Sequence, residues 1–141
     1  MIIRVVKYKN LQGSFQNHIV SQVEWALKNI DKITDEKLRK CIKKRLEENG
    51  TIRIRRNPIE DNENPNSHDC YTDPKIGGQN KSFKILGIPS KEIELCVDNL
   101  ENLNALNSLS DYILHEFAHS CGWDHGQNKG VPFPDGYPNE R

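Results

Sequence analysis

Apolar residues recur every three or four positions in three stretches of the chain, and this spacing places them on one face of an α-helix. Two of the stretches cover residues 14–30 and 34–48, and the third begins at Leu100. We therefore predict three amphipathic helices, with the functional part of the last one near residues 103–121. Gly122 follows the third pattern, as expected of a residue that ends a helix.

Other segments have the alternation or the short apolar runs that are typical of β-strands. These predicted strands cover residues 2–8, 51–56, 82–88 and 92–97. The stretch 57–80 is rich in Asn, Asp, Pro, Gly and Ser, and we predict a long loop there. The sequence therefore predicts an α+β fold, with a mixed twisted sheet packed on helices in a single domain that covers residues 1–141.

The composition limits the classes of protein that fit this chain. It has 20 acidic and 20 basic residues among 141, and its mean hydropathy of −0.78 is that of a polar protein. We expect no membrane binding, because no apolar run approaches a membrane span, and the balanced charge does not favour nucleic acid as a partner. We also expect a monomer. The basic run at 37–45 is interpreted as a solvated surface. The chain start lacks the apolar core of a signal peptide, so the cytoplasm and export without a cleaved signal are both left open.

The four cysteines are scattered along the chain and form no CxxC pair. Their number permits disulfides, but a chain of this size does not require them. We therefore predict reduced thiols, with Cys121 as a packing residue.

The most informative motif begins at His115 and spells H-E-x-x-H-x-x-G-x-x-H. Because residues four apart share a helix face, His115 and His119 can direct ring nitrogens at one point. Glu116 lies about 100° further round the helix and can lean over the same point. A turn at Gly122 would bring His125 back as a third ligand. Three neutral nitrogens with one open position are typical of a catalytic zinc ion.

This motif resembles the signature of the metzincin clan of zinc metallopeptidases. The resemblance implies that His115, His119 and His125 are the Zn²⁺ ligands and that Glu116 is the general base. It also implies a small zincin-like fold. The implied activity is that of an endopeptidase, which hydrolyses a protein or peptide substrate with a metal-activated water.

The chain departs from the metzincin pattern after the third histidine. Metzincins have a methionine turn below the metal, whereas the only methionine here is Met1. Either Val131, Phe133 or Tyr137 forms an equivalent floor, or the chain is a zincin outside the clan. Tyr137 is also a candidate for the tyrosine that assists the metal in some subgroups. Asp124 is a candidate for a hydrogen bond to a ligand imidazole, or for a ligand in place of the third histidine.

A second resemblance leads to a different chemistry. The pattern H-x-x-x-H-x-x-G-aromatic-Asp-His is similar to the metal site of a bacterial family of single-domain metalloproteins implicated in ribosomal RNA maturation. It would imply a metal-dependent endoribonuclease, although that family usually has a small residue where Glu116 stands. A non-catalytic zinc-binding protein is the third interpretation.

The zincin resemblance also implies an edge strand that pairs with an extended substrate. Residues 82–88 and 93–98 are both candidates for that strand. The predicted loop contains His68, Asp69 and Cys70, and we interpret these three as polar loop residues rather than as further metal ligands.

Overall fold

The computed structural model describes residues 4–7, 13–55, 78–80, 90–102 and 106–132. The α-helices are α1 (Gly13–Lys28), α2 (Glu36–Lys44), α3 (Val97–Asn102) and α4 (Leu109–Ser120). The strands are β1 (Arg4–Lys7), β2 (Thr51–Arg55), β3 (Gly78–Asn80) and β4 (Glu92–Cys96). Short 3-10 helices cover Ile30–Lys32 and Leu106–Ser108, and a π-helical turn, Arg45–Asn49, continues α2.

The four strands form one mixed sheet with the order β1-β2-β4-β3. The pairs β1–β2 and β2–β4 are parallel, and β3 runs antiparallel to β4 at one edge. Parallel neighbours require crossover connections, and the helical region between β1 and β2 supplies one of them. The prediction of an α+β fold with a mixed sheet is confirmed at this level.

The core lies between the sheet and the helices. The predicted inward faces of the first two helices are confirmed, because the residues on them are buried or packed against the core, whereas Trp25 of α1 lies on the outer face and is exposed. Ten of the twelve residues of α4 are buried, which makes it the central helix of the described fold. The fully buried residues of this core include Ile19, Val23, Ala26, Ile42, Leu46, Ile52, Ile54, Ile93, Leu95, Ile113 and Phe117.

The prediction of one long third helix from residue 100 is wrong. The structure has the short helix α3, a 3-10 turn at Leu106–Ser108 and then α4, which begins at Leu109; residues 103–105 lie outside the described part. Asn and Ser in this stretch favour turns and caps over helix interiors, which accounts for the break. The backbone N–H of Ser110 donates to Gln22 Oε1 at 3.2 Å, so α1 satisfies one of the free donors at the start of α4.

Two expectations about strands also change. The strand β3 lies inside the stretch that was predicted to be loop, which its polar sequence Gly-Gln-Asn gave no reason to expect. The second candidate edge strand, 93–98, is wrong because β4 is paired on both sides. The first candidate, 82–88, lies outside the described residues.

The prediction of reduced thiols is wrong for the cysteines that the structure describes. Cys41 in α2 and Cys121 after α4 form a disulfide, with their Cα atoms 5.9 Å apart and 80 residues between them in sequence. Cys96 is also disulfide-bonded. Scattered cysteines reveal no pairing by their spacing, because the pairing depends on which helices pack together.

Two of the six basic side chains in the predicted basic run form ion pairs with nearby glutamates. Lys40 Nζ lies 2.9 Å from Glu36 Oε1, and Lys43 Nζ lies 3.7 Å from Glu47 Oε1, both as exposed pairs one helical turn apart. This arrangement agrees with the interpretation of a solvated surface. Within the described part of the chain, no helix has the length and apolarity that a bilayer crossing requires.

Candidate metal centre

The histidine rings of the motif converge on one point. His115 and His119 lie one turn apart on α4, and His125 follows the helix end by five residues. His125 Nε2 is 3.2 Å from His115 Nε2 and 3.1 Å from His119 Nε2. Among the described residues, these three form the one group of His, Cys, Asp or Glu side chains that could hold a metal ion.

Backbone carbonyls fix the orientation of two of these rings. His115 Nδ1 is 2.8 Å from the Pro132 carbonyl oxygen, and His119 Nδ1 is 3.0 Å from the Trp123 carbonyl oxygen. Since a carbonyl oxygen only accepts, each Nδ1 carries the hydrogen and donates it. In the neutral ring each Nε2 then carries the lone pair, which is the tautomer that a metal-binding histidine needs.

The spacing of the ring nitrogens can be compared with the spacing around a metal ion. A tetrahedral zinc ion with Zn–N bonds of about 2.0–2.1 Å separates its nitrogen ligands by about 3.3 Å. The 3.1 and 3.2 Å separations in the structure are close to that value. The three histidines could therefore hold a metal ion.

The turn after α4 has the Schellman arrangement that commonly ends a helix. The N–H of Gly122 donates to the His119 carbonyl at 3.1 Å, and the N–H of Trp123 donates to the Ala118 carbonyl at 3.0 Å. Gly122 has a φ of 88°, in the left-handed region that favours glycine. The expected role of Gly122 in reversing the chain is therefore confirmed.

Trp123 packs among the three imidazoles. Its ring centroid is 5.2, 5.0 and 5.4 Å from those of His115, His119 and His125, and only 2% of its surface is exposed. The indole N–H donates to the Gln127 carbonyl at 2.9 Å. Trp123 therefore supports the site twice, because its ring packs on the histidines while its carbonyl holds His119.

The segment up to Pro132 is fastened to the chain between α1 and α2. The Lys129 carbonyl accepts a hydrogen bond from the Thr34 N–H at 2.9 Å. Gly130 has a φ of 79°, and a Cβ there would collide with the Lys32 carbonyl oxygen. Val131, one of the three candidates for a floor below the metal, is partly buried and packs against the core. These contacts hold Pro132 where its carbonyl reaches His115, a role that sequence reasoning missed because a backbone carbonyl carries no residue signature.

Glu116 lies beside the first histidine and is fully buried. Strand β3 passes against it, since Gly78 lies so close that an added Cβ would be 3.4 Å from Glu116 Cγ. The glutamate side chain therefore packs between α4 and β3.

The remaining candidates separate into two groups. Asp124 is exposed and is not in the group whose ligand atoms converge, so the structure does not bring it in as a ligand. Phe133, Tyr137 and the stretch 68–70 lie outside the described residues. Comparisons with protein-family models, with curated proteins and with solved structures found no match to this chain.

Proposed function

We propose that this protein is a zinc-dependent endopeptidase with a zincin-like arrangement of its site. The observation that carries the proposal is the convergence of three imidazole rings next to a buried glutamate. Two of the rings are held in orientation by backbone carbonyls that contact their Nδ1 atoms. His115, His119 and His125 would hold the zinc ion. Three nitrogen ligands leave one coordination position open, which is typical of catalytic rather than structural zinc.

Zinc bound there would polarise a water molecule and lower its pKa towards neutrality. Glu116 would accept a proton from the water as it attacks the scissile carbonyl carbon, and would then pass that proton to the departing amine. The burial of Glu116 keeps its carboxylate away from competing solvent. Among the described residues, β3 is the strand that lies against this glutamate, through Gly78.

The direct test replaces the glutamate and keeps the histidines. Glu116→Gln preserves the size of the side chain but removes the general base, so we expect peptide hydrolysis to fall by roughly 10²–10⁴-fold. Zinc content should stay near that of the wild type. Glu101→Gln, at an exposed carboxylate of α3, is the matched control and should retain activity. Full activity of Glu116→Gln would contradict the assignment.

Parallel cleavage assays on peptides and on RNA distinguish the alternative functions. Cleavage of an unfolded protein or a peptide library that stops when a chelator removes the metal supports the endopeptidase. Cleavage of structured RNA, with peptides left intact, would select the endoribonuclease instead. A zinc-loaded protein that cleaves neither would be the non-catalytic zinc protein.

A further inference from the structure

The Cys41–Cys121 disulfide joins the candidate metal centre to a helix that contributes none of its residues. Cys121 is the C-terminal cap of α4, two residues after His119 and four before His125. Cys41 lies in α2, whose buried residues Leu38 and Ile42 belong to the core. The bond therefore fastens the chain between two ligands to a fixed part of the fold.

The region around this bond has few other means of holding its shape. Residues 121–132 contain neither helix nor strand, and the last turn of a helix frays readily. The other restraints on this segment are non-covalent, and they include the Schellman hydrogen bonds, the packing of Trp123 and the hydrogen bond from Thr34 to the Lys129 carbonyl. Among the described residues, this disulfide is the one covalent cross-link at the end of α4 and the turn that carries His125. Without it, only non-covalent contacts would hold this part of the chain.

We propose that the redox state of the Cys41–Cys121 disulfide controls the metal affinity of the three-histidine centre. The proposal rests on the metal site of the proposed function. In an oxidising environment the bond holds His119 and His125 together, and the centre binds its ion tightly. In a reducing environment the two thiols separate, the turn relaxes and the centre binds metal weakly.

A reductant can reach the Cys41–Cys121 disulfide, as the proposed redox control requires. Cys41 and Cys121 are both partly exposed rather than buried. A dithiol reductant attacks one protein sulfur and forms a mixed disulfide. Its second sulfur then closes an intramolecular disulfide and releases both cysteines as thiols. The protein disulfide gains two electrons and two protons, and the dithiol loses the same number.

The test measures cobalt affinity in the two redox states. Co²⁺ is titrated into the oxidised protein and into protein that was reduced with dithiothreitol and then freed of reductant, and its visible absorption is recorded. A Cys41→Ser/Cys121→Ser variant gives a second reading in which no freed thiol can itself bind the metal. We expect both to bind cobalt about 10–100-fold more weakly than the oxidised wild type, the range for losing groups that orient metal ligands.

A matched control removes the other cysteines of the chain. Cys70→Ser/Cys96→Ser leaves the Cys41–Cys121 bond in place and should keep the affinity of the oxidised wild type. Equal affinity in the reduced and oxidised proteins would overturn this proposal alone. Loss of helical circular dichroism on reduction or in the Cys41→Ser/Cys121→Ser variant would also overturn it, because the bond would then stabilise the whole fold. An oxidised protein that binds no cobalt would overturn the metal centre as well.

Discussion

The two halves of the candidate metal centre are built by different means. Helix α4 positions His115, Glu116 and His119 through regular geometry, and burial on nearly every side holds the helix in place. The segment 121–132 has no regular secondary structure, yet it supplies His125 and the two carbonyls that orient the other rings. The helix therefore determines which residues face the candidate metal centre, whereas the irregular segment determines whether their nitrogens converge.

The restraints on the irregular half are individual and local. They are the left-handed Gly122, the disulfide at Cys121, the buried Trp123 and the close contact of Gly130 with the Lys32 carbonyl. Each one can be removed separately by a single change. The helix half, in contrast, depends on the core as a whole. A point substitution in the irregular half should therefore be able to lower metal affinity with little loss of fold stability, which is harder to achieve in the helix half.

The largest effect should come from two single substitutions, each of which removes one proposed ligand from a different half of the centre. At about 1,000 times its dissociation constant, zinc should stabilise the wild type by ~4 kcal/mol, because it binds only the folded state. We expect His115→Ala and His125→Ala both to lose this zinc-dependent gain, measured by urea denaturation with and without zinc. His18→Ala, at a histidine that contacts the Leu106 carbonyl, is the control that should keep it. If zinc still stabilises His125→Ala, the irregular half contributes no ligand.

A smaller effect should follow from a change that touches no ligand. Gly130→Ala forces an unfavourable positive φ and a collision with the Lys32 carbonyl, so we expect a loss of about 3 kcal/mol in the free energy of unfolding. Zinc affinity should fall too, because Pro132 would move away from His115. Gly126→Ala is a closely matched control, since Gly126 has a φ of 93° but no neighbouring atom within 4 Å of a Cβ. It should cost roughly 1–2 kcal/mol and leave zinc affinity unchanged; equal losses of affinity in the two variants would count against the Pro132 contact.

The smallest effect concerns Trp123. Trp123→Phe keeps an aromatic ring but loses the hydrogen bond to Gln127, so it should lower the free energy of unfolding by about 1 kcal/mol.

The emission of Trp123 can also report on the site, because a Trp25→Phe variant leaves Trp123 as the only tryptophan. Its ring lies 5.0–5.4 Å from the three imidazole centroids, so one equivalent of Co²⁺ should quench its emission strongly. Unquenched Trp123 emission at full cobalt occupancy would place the ion elsewhere.

The predictable part of this molecule follows from periodicity and spacing. The inward faces of α1 and α2, most of the strands and the shared face of His115 and His119 all express a repeat of 3.6 or 2 residues. The reversal at Gly122 was also predictable, because glycine tolerates a left-handed φ at little cost. The antiparallel part of the mixed sheet is not among these features, because it comes from β3.

The remainder depends on contacts between residues distant in sequence. The Cys41–Cys121 pairing requires α2 to meet the end of α4, and no pattern within either helix encodes that meeting. The polar strand β3 exists because β4 offers it an edge, against its own propensity. The Pro132 carbonyl reaches His115 because Gly130 allows a close approach to the Lys32 turn. In each case, packing between distant parts of the chain determines a structural feature that the local sequence does not determine.

X-ray absorption spectroscopy of the zinc-loaded oxidised protein tests the central claim most directly. We expect three imidazole nitrogens and one oxygen from solvent at about 2.0–2.1 Å, with no sulfur ligand. In zinc-loaded His125→Ala, the number of imidazole ligands should fall to two. A closed set of four protein ligands, or a wild-type spectrum with fewer than three imidazoles, would contradict the centre described for this protein.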